Sequence, residues 1–112
     1  MSNLRFPSIN QIALSGRLCQ DPESKLMDSG KLLVTFTLAS NNSYRDKNGD
    51  WQQDATFIPV SAWDKLAEYS AERLNRGSAI YLTGKLNSRT FKARSGNRTV
   101  LEVIARTLQF LR

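Results

Sequence analysis

Apolar and polar residues alternate most strictly in two stretches, and both predict strands. Between residues 31 and 40, Leu32, Val34, Phe36 and Leu38 hold one parity against Thr35, Thr37 and Ala39. Successive side chains on a strand point to opposite faces, so the first set shares one buried surface. Between residues 56 and 63, Ile58, Val60 and Ala62 form a second such set. Their opposite parity holds Phe57, Ser61 and Trp63. Two large aromatics around a serine are not an ordinary solvated face. That face is either buried a second time or a platform on which flat molecules stack.

The rest of the chain supplies the remaining elements. Residues 4–8 read as an irregular arm, and 9–18 as a strand with Ile12, Leu14 and Leu18 inward around Gly16. Asp21-Pro22-Glu23 and Asp28-Ser29-Gly30 are turn signals. Residues 41–55 read as a long polar loop turning at Asn48-Gly49. The period then changes to helical over 64–74, with Asp64 as cap, Leu66, Ala67, Tyr69, Ala71 and Leu74 as the apolar side, and Gly77 as the stop. A fourth strand is predicted over 79–91, with Ile80, Leu82 and Leu86 inward and a bend at Gly84. Ser95-Gly96-Asn97 turns the chain into a fifth strand over 99–111.

Five strands, one short helix between the third and fourth, and glycine bends in the first and fourth predict an all-β fold. The expected architecture is a closed five-stranded Greek-key barrel of the OB type, as a single domain over residues 1–112. The last strand is apolar on both parities: Leu101, Val103, Ala105 and Leu111, but also Val100, Ile104, Leu108 and Phe110. One barrel interior does not absorb both sets, so the surplus predicts a self-association surface.

Charge adds a partner. Sixteen Lys and Arg against ten Asp and Glu give a net charge of +6, which favours a polyanion. Arg73, Arg76, Lys85, Arg89, Lys92, Arg94 and Arg98 follow one another with no acid among them up to Leu101. No apolar run reaches the ~20 residues of a membrane helix, the N-terminus lacks the apolar region of a signal peptide, and Cys19 is alone. These features predict a reducing compartment: the cytoplasm, with the nucleoid, or an organelle interior, without membrane attachment or secretion.

Enzymes are disfavoured. Without histidine there is no imidazole base, and a lone cysteine excludes paired-thiolate zinc sites. Thr83-Gly84-Lys85 departs from a phosphate loop at Ala79 and Leu86. Asp46-Lys47-Asn48-Gly49-Asp50 departs from a calcium loop, its glycine one place early and Phe57 at the twelfth place. Glu102, the one acid within a predicted strand, reads as a partner for Arg106 or another nearby base. No metal or cofactor is expected.

Aromatics interleaved with cations remain. The predicted fourth strand aligns Tyr81, Thr83, Lys85, Asn87, Arg89 and Phe91 outward, with Arg94 beyond it; Phe57 and Trp63 lie on the third strand; Tyr44, Arg45, Lys47 and Trp51 lie in the polar loop. Unpaired bases expose π-faces that stack, and their phosphates seek positive charge, so this set suits a nucleic-acid single strand. Buried core or interface aromatics are the competing explanation. The acidic helix, with Asp64, Glu68 and Glu72, does not suit a duplex groove.

Gly16-Arg17-Leu18, Asp21-Pro22-Glu23, Phe36-Thr37-Leu38-Ala39, Phe57-Ile58-Pro59-Val60, Ala62-Trp63, Lys65-Leu66-Ala67-Glu68 and Gly77-Ser78, in that order and spacing, resemble bacterial-type single-stranded DNA-binding proteins. The resemblance runs from about residue 9 to 111. It implies a homotetramer of OB domains that binds single-stranded DNA in replication, repair or recombination. It further implies stacking at Tyr44, Phe57, Trp63 and Phe91, and backbone contacts from Arg45, Lys47, Lys65, Arg76 and Arg89. Two positions often held by Trp are here Tyr44 and Phe91, which implies somewhat weaker stacking. The family's acidic C-terminal tip is expected to be missing from a chain ending at Arg112, which puts tail-mediated protein partners in doubt. A single-stranded RNA binder and an assembly subunit are the alternatives.

Overall fold

The computed structural model describes residues 6–111; Leu4 and Arg5 of the expected arm lie outside them, and residues 6–11 carry no regular structure. The elements are β1 (Ile12–Leu18), β2 (Glu23–Leu26), β3 (Leu32–Arg45), β4 (Trp51–Trp63), α1 (Lys65–Arg73), β5 (Ala79–Ala93) and β6 (Gly96–Phe110). Their order in the sheet is β1-β5-β6-β4-β3-β2, and β1 also pairs with β3. That last pairing, at Arg17–Ala39 and Leu18–Leu38, closes a five-stranded barrel. A short parallel contact, Val60–Val103 and Ser61–Ile104, joins β4 to β6. The expected OB barrel is the fold. β2 is an addition: it pairs antiparallel with β3 outside the barrel, where Pro22 and four exposed residues conceal a strand from any periodicity.

The alternating sets fill the interior. Val34, Phe36 and Leu38 of β3, Val60 and Ala62 of β4, Ile80 and Leu82 of β5 and Val103 of β6 are buried together. Closure brings backbones unusually near at the two strand glycines. A Cβ at Gly16 would meet the Ala39 carbonyl, and one at Gly84 the Ile104 carbonyl. Both sites are corners where a side chain has no room.

Beside Gly84 the β5–β6 register slips: Thr83 faces Thr107 while Gly84 faces Ala105, leaving Arg106 unpaired. The extra residue reverses the parity of β6. Val103 and Ala105 point inward before it, and Leu108, opposite the buried Leu82, points inward after it. The bulge thus brings Leu108 to the inner side and reduces the apolar surplus read in β6, but one barrel interior still does not absorb both sets, since Val100 and Ile104 stay on the outer face. Leu101, Phe110 and Leu111 remain exposed. Leu86 is a correction: it is exposed, because it lies past the bulge where the hairpin leaves the barrel.

α1 packs against β3, β4 and β6 through Ala67, Ser70 and Leu74, while Ala71 faces solvent. The buried Ser70 hydroxyl donates to the Leu66 carbonyl (2.8 Å), which lets a polar residue sit on the inner stripe. Asp64 precedes the helix but does not cap it with its side chain. Its φ of 58° turns the carboxylate away, and its backbone N–H donates to Leu32 instead. Gly77 is not the helix stop either. The helix ends at Arg73, and Gly77, at φ 88°, donates to the Leu18 carbonyl in the turn entering β5.

The expected polar loop is mostly strand. β3 and β4 stay paired out to Arg45–Trp51 and turn through Asp46–Asp50 with Gly49 at φ 80°. β5 and β6 likewise run to Ala93–Gly96. These two hairpins extend past the core and give a radius of gyration of 16.9 Å, against about 13 Å for a compact domain of this size.

Gly84→Ala tests the corner geometry. The added methyl meets main chain that cannot swing aside, so stability falls by about 1–3 kcal/mol, read as a lower Tm. An unchanged Tm contradicts the tight approach.

Candidate nucleic-acid interface

Pairing fixes which side chains share the outer surface. Opposite residues on paired strands lie on one face, so Leu33, Thr35, Thr37 and Ala39 of β3 stand beside Trp63, Ser61, Pro59 and Phe57 of β4. Glu23 and Lys25 of β2 continue the same surface. On the β5–β6 hairpin the matching face carries Lys85, Asn87, Arg89 and Phe91 beside Ile104, Glu102, Val100 and Arg98. Between the two lies an open concavity of about 580 Å³, with Thr35, Thr37 and Pro59 on its floor, Lys25 on one wall and Arg89 and Glu102 on the other. Met27 links it to a second concavity at Trp63, Ser29 and Lys31.

The rings are open. Phe57 is 65% exposed, Trp51 66%, Tyr44 46% and Phe91 41%, and Trp63 is half-buried at the end of β4. Phe57 and Trp63 stand six residues apart on one strand face, about 20 Å. Two rings already hold a cation. The Arg45 guanidinium carbon lies 5.1 Å from the Trp51 ring centre, and that of Arg89 lies 5.9 Å from Phe91. These distances keep positive charge beside a flat face. Of the two readings of this face, each holds in part: Phe57 is open, whereas Ser61 is buried, and its hydroxyl has no protein partner among the described residues.

The tip of the β3–β4 hairpin is locked by one carboxylate. Asp46 Oδ1 accepts the backbone N–H groups of Asn48 and Asp50, both at 2.9 Å, and Oδ2 accepts from Gln52 Nε2 at 3.1 Å. Both oxygens are thus engaged inside the turn, which is what becomes of the loosely calcium-like sequence. The Asp50 N–H holds the Asp46 carboxyl below its ordinary value of 3.8; desolvation opposes it less strongly, and Gln52 and then Asn48 add smaller lowering effects.

The remaining cations fall in different places. Lys47 is exposed in the locked turn, Lys85 is exposed on β5, and Arg94 sits in the tight β5–β6 turn. Lys65 opens α1 next to Trp63. Arg76 lies away from the rings, in the connection from α1 to β5, its backbone N–H held by Asp21 at 2.8 Å. Glu102 pairs with Arg89 (3.9 Å) and accepts from Asn87 Nδ2 (3.3 Å), so its base partner is Arg89 and not Arg106. The walls supplied by Lys25 and Glu23 were missed because β2 was missed.

A closed five-stranded barrel whose outer strands carry open rings and cations is an oligonucleotide-binding barrel. The model of the single-strand binding protein family matches residues 9–111. The chain belongs to that family. It is 43% identical over 108 residues to single-stranded DNA-binding protein 2 of Chlorobaculum tepidum, covering 95% of this chain and 73% of that one. Over 104 residues it is 38% identical to single-stranded DNA-binding protein 3 of Listeria innocua, covering 92% of this chain and 64% of that protein. The fold matches the Plasmodium falciparum SSB in its complex with ssDNA, with a TM-score of 0.84 at 24% identity, covering 97% of this chain and 100% of that one. It also matches a deletion mutant of the Thermus aquaticus single-stranded DNA-binding protein, with a TM-score of 0.82 at 22% identity, over 93% of this chain and 51% of that one.

The turn predicts a pH response. A carboxyl with a depressed folded-state value supports the turn above its ordinary value of 3.8, and that support is lost as pH falls through the lowered value. Amide protection at Asn48 and Asp50 therefore drops in strong acid, and Asp46→Asn lowers it already at neutral pH. Unaltered protection in the variant contradicts the lock.

Proposed function

We propose that this chain binds single-stranded DNA with little sequence preference, as a non-catalytic module serving replication, repair or recombination. The observation that carries it is the outer surface of β3, β4, β5 and β6, which displays exposed rings with guanidinium groups against two of them, Arg89 lying both beside Phe91 and on the wall of an open concavity. The names of the relatives it resembles support the same ligand.

Bases stack on Tyr44, Phe57, Trp63 and Phe91, with Trp51 as a further ring. Phosphates meet Arg45, Lys47, Lys65, Lys85, Arg89 and Arg94. Arg76, on the far connection, serves a strand that wraps around the domain. Both kinds of contact act on any sequence. A stacked base contributes about 1–3 kcal/mol, a range established on proteins of this same kind. No step of bond making is required of any residue.

Residues 1–112 act as one domain, and the working form is a homo-oligomer, a homotetramer. Two features support self-association: Leu86, Leu101, Phe110 and Leu111 are exposed, and both hairpins stand clear of the core. An isolated hairpin is marginal in water, so a second copy or a bound strand stabilises it.

Phe57→Ala and Trp63→Ala each weaken binding to oligo-dT by roughly tenfold, within the ~1–3 kcal/mol range for one stacked base, while the barrel stays folded. Binding to wild type weakens with salt, log K falling by about 0.7 per log unit for each phosphate neutralised. Equal affinity in both folded variants rejects the stacking surface.

A further inference from the structure

Two carboxylates line the groove, and both are wrong for phosphate: Glu23, exposed on the β2 wall, and Glu102 opposite it. Glu102 lies on the wall of the central concavity, about nine-tenths buried. One carboxylate oxygen, Oε1, is engaged by Asn87 (3.3 Å) and by Arg89 (3.9 Å). The other, Oε2, has no partner among the described residues, yet it is not sealed from solvent. A carboxylate on the wall of a groove that takes a polyanion repels the phosphates. The part of a nucleotide that meets it must carry N–H.

The concavity lies between two of the rings. Met27 connects it to the Trp63 end, while Arg89, on the same wall as Glu102, reaches the Phe91 ring. A base held near these rings turns its edge, not its phosphate, toward the wall. Bases differ at that edge. Cytosine offers an amino group to an acceptor, and Glu is a fitting partner for it. Thymine offers one N–H between two carbonyl oxygens, which a carboxylate opposes.

We propose that Glu102 gives the groove a base preference, accepting a hydrogen bond from the amino group of cytosine and disfavouring thymine at the same place. This rests on the single-strand binding reading and refines it: overall binding is indifferent to sequence, but one position per domain is not. Asn87 and Arg89 act as positioning residues, holding Oε1 and leaving Oε2 without a partner among the described residues.

The test compares oligo-dC with oligo-dT of equal length at one salt concentration, for the full chain and for Glu102→Gln. Homopolymers differ in their own stacking, so the quantity read is the ratio of the two affinities in wild type divided by that ratio in the variant. Gln is nearly the same shape, but it can donate to thymine as well as accept from cytosine. The ratio of ratios is expected to favour cytosine in wild type by roughly three- to tenfold, the scale of one partly exposed polar contact. Glu102→Met, which removes the acceptor, gives the same flattening and serves should the Gln variant fold poorly. A ratio of ratios near one overturns the proposal, as does an equal change for both oligomers, which leaves Glu102 only as the partner of Arg89. Wild type that binds neither oligomer overturns the single-strand reading itself, a result distinct from equal change.

Discussion

Everything outside the core depends on how the barrel closes. The seam at Arg17–Ala39 and Leu18–Leu38, and the two-residue parallel contact between β4 and β6, allow the strands to meet for only part of their length. Past those contacts, β3–β4 and β5–β6 separate as free hairpins, with the groove between them. Gly16 and Gly84 make this possible, since backbone meets backbone at both corners. A side chain at either would push the seam open and move the groove walls with it. The binding surface is therefore a consequence of closure, held by a core of Val, Leu, Ile and Phe.

Rings and cations then divide the work by physical type. Tyr44, Trp51, Phe57 and Phe91 are exposed on the single chain and so are available to bases. The Arg45–Trp51 and Arg89–Phe91 contacts keep charge close to the stacking faces before any strand arrives, which reduces the ordering left to be done on binding. The Asp46 turn serves the same end. One carboxylate with its three hydrogen bonds stiffens a tip that holds Arg45, Lys47 and Trp51.

Much of this was legible in the residues. Strict alternation in β3, the mixed parity of β4 and the two strand glycines carry the barrel, because those segments are half buried and burial writes a period into the sequence. Where burial ends, so does the period: Asn41, Asn42, Gln52 and Gln53 are wet on both sides and read as loop although they pair fully. β2 hid behind Pro22 in four exposed residues. The bulge at Arg106 acted in the opposite way, since an unseen parity change makes the apolar surplus of β6 look larger than it is. At the site, residue types announced the rings and cations, whereas the Glu102–Asn87–Arg89 cluster needed the register, because its members are 13 and 15 positions apart in the chain.

The most direct test of the open stacking face uses its own indole. The chain has two tryptophans, so Trp51→Phe leaves Trp63 as the single reporter, half-buried at the end of β4. Titrating this variant with oligo-dT, while following both Trp63 emission and the anisotropy of labelled oligomer, separates contact from mere association. A base on the ring quenches the emission in step with binding. Saturated binding with unaltered Trp63 emission would mean that the strand is held elsewhere.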